Sequence, residues 1–139
     1  MWTEKLKFTL QKNHEGTSSK ETKKKKIGNW AEVATQKHLQ EQGLKTQACN
    51  YNCPLGEIDL IMLDKDQLVF IEVRFRKNSA YGSAIESVAA HKQKKIIKAA
   101  QHYLQATKLT QKVSCRFDVV GVELNNNQPK FEWIKNAFY

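Results

Sequence analysis

The sequence predicts an α/β domain, and three observations carry that expectation. Two period-two segments, 57–63 and 68–76, flank the polar turn Asp64-Lys65-Asp66-Gln67, the pattern of an antiparallel hairpin. Two segments of strong helix formers, 28–42 and 86–105, lie on either side of that hairpin. A third alternating run at 113–123 follows the second helical segment.

The first predicted helix uses Trp30, Ala31, Val33, Ala34 and Leu39 as its apolar set and stops at Gly43. Glu32 lies in its first turns, where the helix dipole favours an acid. A short strand at 44–51 and a turn through Pro54, Leu55 and Gly56 lead into the hairpin. In the hairpin's first strand, alternation places Ile58, Leu60 and Met62 on one face and Glu57, Asp59, Ile61 and Leu63 on the other. In the second, Val69, Ile71, Val73 and Phe75 face one way, and Leu68, Phe70, Glu72, Arg74 and Arg76 the other. A loop at 77–83 precedes the second helix, whose core stripe is Val88, Ile96, Ala99, Ala100, Tyr103 and Leu104. The triple asparagine 125–127 reads as a turn and 131–134 as a last strand.

Ahead of this domain, Leu6, Phe8 and Leu10 give a weak strand signal, and 14–26 reads as a flexible linker. The expected organisation is a basic tail, 1–27, and a single domain, 28–139. The chain carries 23 basic and 14 acidic residues for a net charge of +9, which favours a polyanionic partner. Lys23, Lys24, Lys25 and Lys26 in the tail, Arg76 at the end of the hairpin, and Lys92, Lys94, Lys95 and Lys98 on the second helix are the candidate phosphate contacts, the lysines also readable as a solvated face.

Three cysteines, Cys49, Cys53 and Cys115, form neither an even disulfide set nor a CxxC pair, which fits a reducing, cytoplasmic setting and makes a zinc site a weak alternative. No apolar run reaches membrane-spanning length, so no membrane partner is expected. P-loop, GxSxG and HExxH signatures are missing, and His38, His91 and His102 read as surface or half-buried helix residues.

The acids inside the hairpin strands set the chemistry. An ionised carboxylate in a core strand costs several kcal/mol unless a cation or hydrogen bonds compensate it. Glu72 and Arg74 share a face about 7 Å apart at ~3.3 Å per residue, and Asp59 joins them if the hairpin register allows. Two readings stand at this point: a structural ion pair among Asp59, Glu72, Arg74 and Arg76, or a site in which Asp59 and Glu72 hold Mg²⁺ or Mn²⁺. In the second reading the Val73 carbonyl is a further candidate ligand, Glu32 completes the shell or holds a water, and Arg74 grips phosphate. A guanidinium keeps its proton, so Arg74 is no general base.

The segments GEIDLIMLDKDQLVFIEVRFR, YGSAIESVAAHKQKKIIKAAQHYL and CRFDVVGVE, in this order and spacing, resemble the YraN family of bacterial proteins from about Gly28 to the C-terminus. The resemblance implies a restriction-endonuclease-like fold, a central mixed β-sheet flanked by α-helices. It implies a Mg²⁺- or Mn²⁺-dependent endonuclease distantly similar to archaeal Holliday junction resolvases, acting on DNA that is branched or otherwise structured. It makes Asp59 and Glu72 the motif acids, places Arg74 where the motif has lysine, and makes Glu32 the acid of the first helix. Gln93 matches the glutamine or lysine that related nucleases place near the site. Junction cutting implies, by analogy, a homodimer. A non-catalytic nucleic-acid-binding protein that keeps the fold is the alternative.

Overall fold

The computed structural model of the chain describes residues 19–77 and 82–139. The strand signal at Leu6, Phe8 and Leu10, the linker up to residue 18, and the centre of the 77–83 loop lie outside them. Helix α1 (Ser19–Glu41) is followed by strands β1 (Lys45–Cys53), β2 (Gly56–Asp64) and β3 (Gln67–Phe75). A 3₁₀ turn (Ile85–Ser87), helix α2 (Ala90–Ala106), and strands β4 (Ser114–Asn125) and β5 (Gln128–Phe138) complete the order.

The five strands form one mixed sheet in sequence order. Only β3 and β4 run parallel, and the other three pairings are antiparallel. A parallel pair needs a long crossover, and α2 supplies it. The antiparallel pairs close through two-residue turns at Pro54-Leu55, Lys65-Asp66 and Asn126-Asn127. Asn126 and Asn127 have φ of 52° and 61°, the geometry of a type I′ hairpin and one that asparagine tolerates.

Each helix covers one face of the sheet. Ala31 and Leu39 of α1 pack on Leu60, Met62, Val69, Ile71, Val120 and Val122. Ile96, Ala99 and Ala100 of α2 pack on Ile58, Ile61, Leu68, Phe70 and Val119. The alternation expected for β3 is therefore the one observed, and of the expected helix stripe Ile96, Ala99, Ala100, Tyr103 and Leu104 lie on α2 and pack there.

Four expectations are corrected. Helix α1 begins at Ser19, not at 28, so residues 19–26 are helical where a flexible linker was expected. Lysine is a good helix former, and an internal Gly28 costs only about 1 kcal/mol. Helix α2 begins at Ala90, not at 86. Val88 and Ala89 are extended, which lets Val88 enter the core, and the Gln93 side-chain amide donates to the freed Val88 carbonyl at 3.0 Å. The last strand is longer than 131–134.

The fourth correction bears on the site. Ile58 lies on the α2 face although Leu60 and Met62 lie on the α1 face. Opposite this change of face, Asn50 of β1 has φ of 50°, and Cys49 and Tyr51 likewise pack on opposite faces. One left-handed residue reverses the side-chain alternation of β1, and β2 follows it.

Candidate active site

The β2–β3 ladder pairs residues from Asp64↔Gln67 up to Leu60↔Ile71. The next facing positions are Asp59 and Glu72, where regular pairing ends. Asp59 fills the opening: its Oδ2 accepts the Val73 N–H at 2.8 Å, replacing the strand carbonyl that a continuous ladder would offer. An extended residue directs its N–H and C=O to the same side, so the Val73 carbonyl also faces the gap. Asp59 thus meets Glu72 across the splayed strand ends, not merely by sharing a face with it.

Glu72 is 5% exposed, and two cations approach it. Arg74 Nη1 lies 3.8 Å from Glu72 Oε1, and Lys92 Nζ, from α2, lies 4.0 Å from the same oxygen. Both distances exceed those of a charge-assisted hydrogen bond. Arg74 is held from the side, where its Nε donates to Ser87 Oγ at 3.3 Å and Ser87 Oγ donates to the Ala84 carbonyl at 2.5 Å. The turn carrying Ser87 reaches Arg74 because the residue paired with Arg74 is Gly121. A Cβ on Gly121 would stand 2.7 Å from the Ala84 Cβ.

Glu32 reaches the same place from α1, facing Asp59 and the Asn50 side chain. Three carboxylates from three elements therefore meet where the strands part. A cleft of about 180 Å³ lined by Asn50, Tyr51, Asn52, Glu57, Ile58 and Asp59 opens beside them.

Burial, followed by repulsion from Asp59, pushes Glu32 up to about 8 and Glu72 up to about 8. Burial also raises Asp59, against the pull of the Val73 N–H. The three groups cannot all ionise at neutral pH without a cation. The metal-free folded protein therefore binds more protons than the unfolded chain between the ordinary glutamate value of 4.5 and about 8. Stability in chelator is expected to be greatest below about pH 4.5 as far as these groups decide it, to fall as pH rises to about 8, and to level off above. Thermal midpoints in EDTA across this interval check it. Glu72→Gln should flatten the slope, and an unchanged slope would show that Glu72 ionises normally.

Among the described residues, no three acidic, histidine or cysteine side chains stand close enough to hold a metal ion by themselves. Two carboxylates, a carbonyl and open positions nevertheless suit Mg²⁺, which keeps several waters and takes substrate phosphate oxygens as ligands.

The other sequence candidates divide. Arg76, one residue beyond the end of β3, turns away from the acids: Nη2 lies 2.6 Å from Glu132 Oε2, Nη1 donates to the Gly82 carbonyl, and the side chain is only 15% exposed. The Gln93 amide serves Val88. Lys94, Lys95 and Lys98 are exposed on α2, as are Lys23, Lys24, Lys25 and Lys26 on α1. Sequence reasoning placed Lys92 only among these outer lysines and passed over Asn50 and Ser87. The left-handed conformation that asparagine favours was the one available hint at Asn50.

A mixed five-stranded sheet with a helix on each face, and acids where its central strands part, defines an α/β protein of restriction-endonuclease-like architecture. No helix among the described residues is long and apolar enough to cross a membrane. The sequence profile of the uncharacterised protein family UPF0102 matches residues 31–122. A UPF0102 protein of Nitrosococcus oceani is 48% identical over 111 residues, covering 80% of this chain and 90% of its own. One of Saccharophagus degradans is 48% identical over 116 residues, covering 84% and 95%. The chain belongs to the UPF0102 family, the YraN family that its motifs resemble.

Proposed function

We propose that the protein is a metal-dependent endonuclease that hydrolyses phosphodiester bonds of DNA, with branched or structured DNA as substrate. The observation that carries this reading is the meeting of Glu32, Asp59 and Glu72 in a buried gap whose nearest cations stand 3.8 and 4.0 Å from Glu72. An external cation bound there would let the three carboxylates ionise together. Asp59, Glu72 and the Val73 carbonyl would hold Mg²⁺ or Mn²⁺, and Glu32 would accept a hydrogen bond from a water on that ion. Such an ion supplies charge neutralisation at the phosphate and an acidified water.

The chain's own residues then bind and orient. Arg74, held by Ser87 and 40% exposed, offers its outer nitrogens to a non-bridging phosphate oxygen. Water forms the new P–O bond, the bond from phosphorus to one sugar oxygen breaks, and solvent exchanges the protons at both oxygens. Lys23 to Lys26, Lys94, Lys95 and Lys98 contact phosphates outside the cleaved bond. On a four-way junction, two copies of the chain would cut two strands at related positions.

The test is incubation with junction, flap, single-stranded and duplex DNA in Mg²⁺ or Mn²⁺. Cleavage that stops with EDTA is the expected result. Salt-dependent binding without cleavage in either metal would instead support a non-catalytic DNA-binding protein, a reading favoured by arginine at position 74 and by the exposed lysines. Failure to bind DNA at low salt would overturn both.

A further inference from the structure

Two cations flank Glu72, and they are built differently. Arg74 stands on β3 beside Glu72 and is fixed through Nε by Ser87. Lys92 arrives from α2, is 37% exposed, and makes no other ion pair among the described residues. Its ammonium ends 4.0 Å from the same Oε1 that Arg74 approaches at 3.8 Å. At that separation the ammonium is not hydrogen-bonded to the carboxylate, so its donors are open to an oxygen of a bound phosphate. A compact ammonium on a flexible stem can follow a phosphate oxygen as its charge grows, while a clamped planar guanidinium is suited to orienting one.

Resting on the nuclease reading, we infer that Lys92 is a catalytic residue whose ammonium contacts a non-bridging oxygen of the scissile phosphate and stabilises the charge that builds there, while Arg74 orients the phosphate. The element that covers the α2 face of the sheet thereby completes a site begun on β2 and β3. Lys92 differs in this from Lys94, Lys95 and Lys98, which are exposed on the same helix and form no ion pair among the described residues.

A mere counter-charge to Glu72 has a different signature. Removing a positive charge this close to a metal-binding carboxylate should tighten Mn²⁺ binding whatever Lys92 does in the reaction. Only a catalytic contact couples tighter Mn²⁺ binding to slower chemistry. For Lys92→Met, calorimetric titration with Mn²⁺ should therefore give a dissociation constant several-fold lower than wild type. Single-turnover cleavage at saturating Mn²⁺ and protein should fall about 100-fold, the scale of losing one stabilising donor. Lys92→Arg, which keeps the charge, should retain at least about a tenth of the wild-type rate, since it loses geometry more than charge.

Cleavage by Lys92→Met within about threefold of wild type would overturn the assignment, a loss that small being far below that of a stabilising donor. A rate and a Mn²⁺ affinity that fall together would also overturn it, reducing Lys92 to a residue that shapes the metal site. Wild-type protein that binds Mn²⁺ but cuts no DNA overturns the nuclease reading and this assignment with it. Wild-type protein that cuts, beside a Lys92→Met variant that cuts equally fast, removes Lys92 alone.

Discussion

Replacing Asp59 with asparagine is expected to lower cleavage by about 10³-fold or more, equivalent to some 4 kcal/mol of transition-state stabilisation, and to abolish Mn²⁺ binding in calorimetry. The same replacement should leave the metal-free protein at least as stable as wild type. Asparagine keeps an oxygen that can accept the Val73 N–H, which Asp59 Oδ2 takes at 2.8 Å, so the strand ends stay where they are. What disappears is the charge that adds to burial in raising both Glu32 and Glu72. Activity and stability then move in opposite directions, as they do where a fold carries strain for a function. Undiminished cleavage would remove Asp59 from the proposed metal site. A large drop in the thermal midpoint would show instead that Asp59 serves mainly as an acceptor holding β2 to β3.

The sequence made some of this legible and hid the rest for physical reasons. Period-two geometry in β3 placed Glu72 and Arg74 together, because that strand is paired along its whole length with β4 and cannot change phase. The same rule misplaced Ile58 in β2, because the change of alternation originates in Asn50 on the neighbouring strand. Arg76 matched the period but lies beyond the end of β3, where its guanidinium finds Glu132 on β5. Lys92 was visible only as one lysine among four. Its meeting with Glu72 depends on how the crossover returns across the sheet, a non-local geometry on which helical periodicity is silent.

Asp118 is the counter-case to the acids of the cleft, and its replacement by alanine is expected to destabilise the protein by about 3–5 kcal/mol, the cost of removing one partner from a buried ion pair. For a domain of this size that is a fall in thermal midpoint on the order of 10–20 °C. Asp118 is 0% exposed, yet every nearby donor points at it: Arg116 Nε at 3.0 and 3.2 Å, Trp133 Nε1 at 2.9 Å and the Asn136 N–H at 2.9 Å. The last of these donors is left free by the irregularity that interrupts β4–β5 pairing between Phe117 and Val119. Arg116 also lies 2.9 Å from Asp64 and donates to Gln67 at 3.0 Å, so losing Asp118 leaves a mostly buried guanidinium short of a partner. Denaturant unfolding of Asp118→Ala checks this, and a cost below about 1 kcal/mol would mean that Asp64 alone satisfies Arg116. Arg116→Met in the Asp118→Ala background should recover part of the loss, because the uncompensated charge goes with it. Set beside Glu72→Gln, which should stabilise the metal-free protein at pH 8, the two replacements have opposite signs. That difference separates a carboxylate whose cation is built into the fold, at 3.0 Å, from one whose nearest cations stop at 3.8 and 4.0 Å.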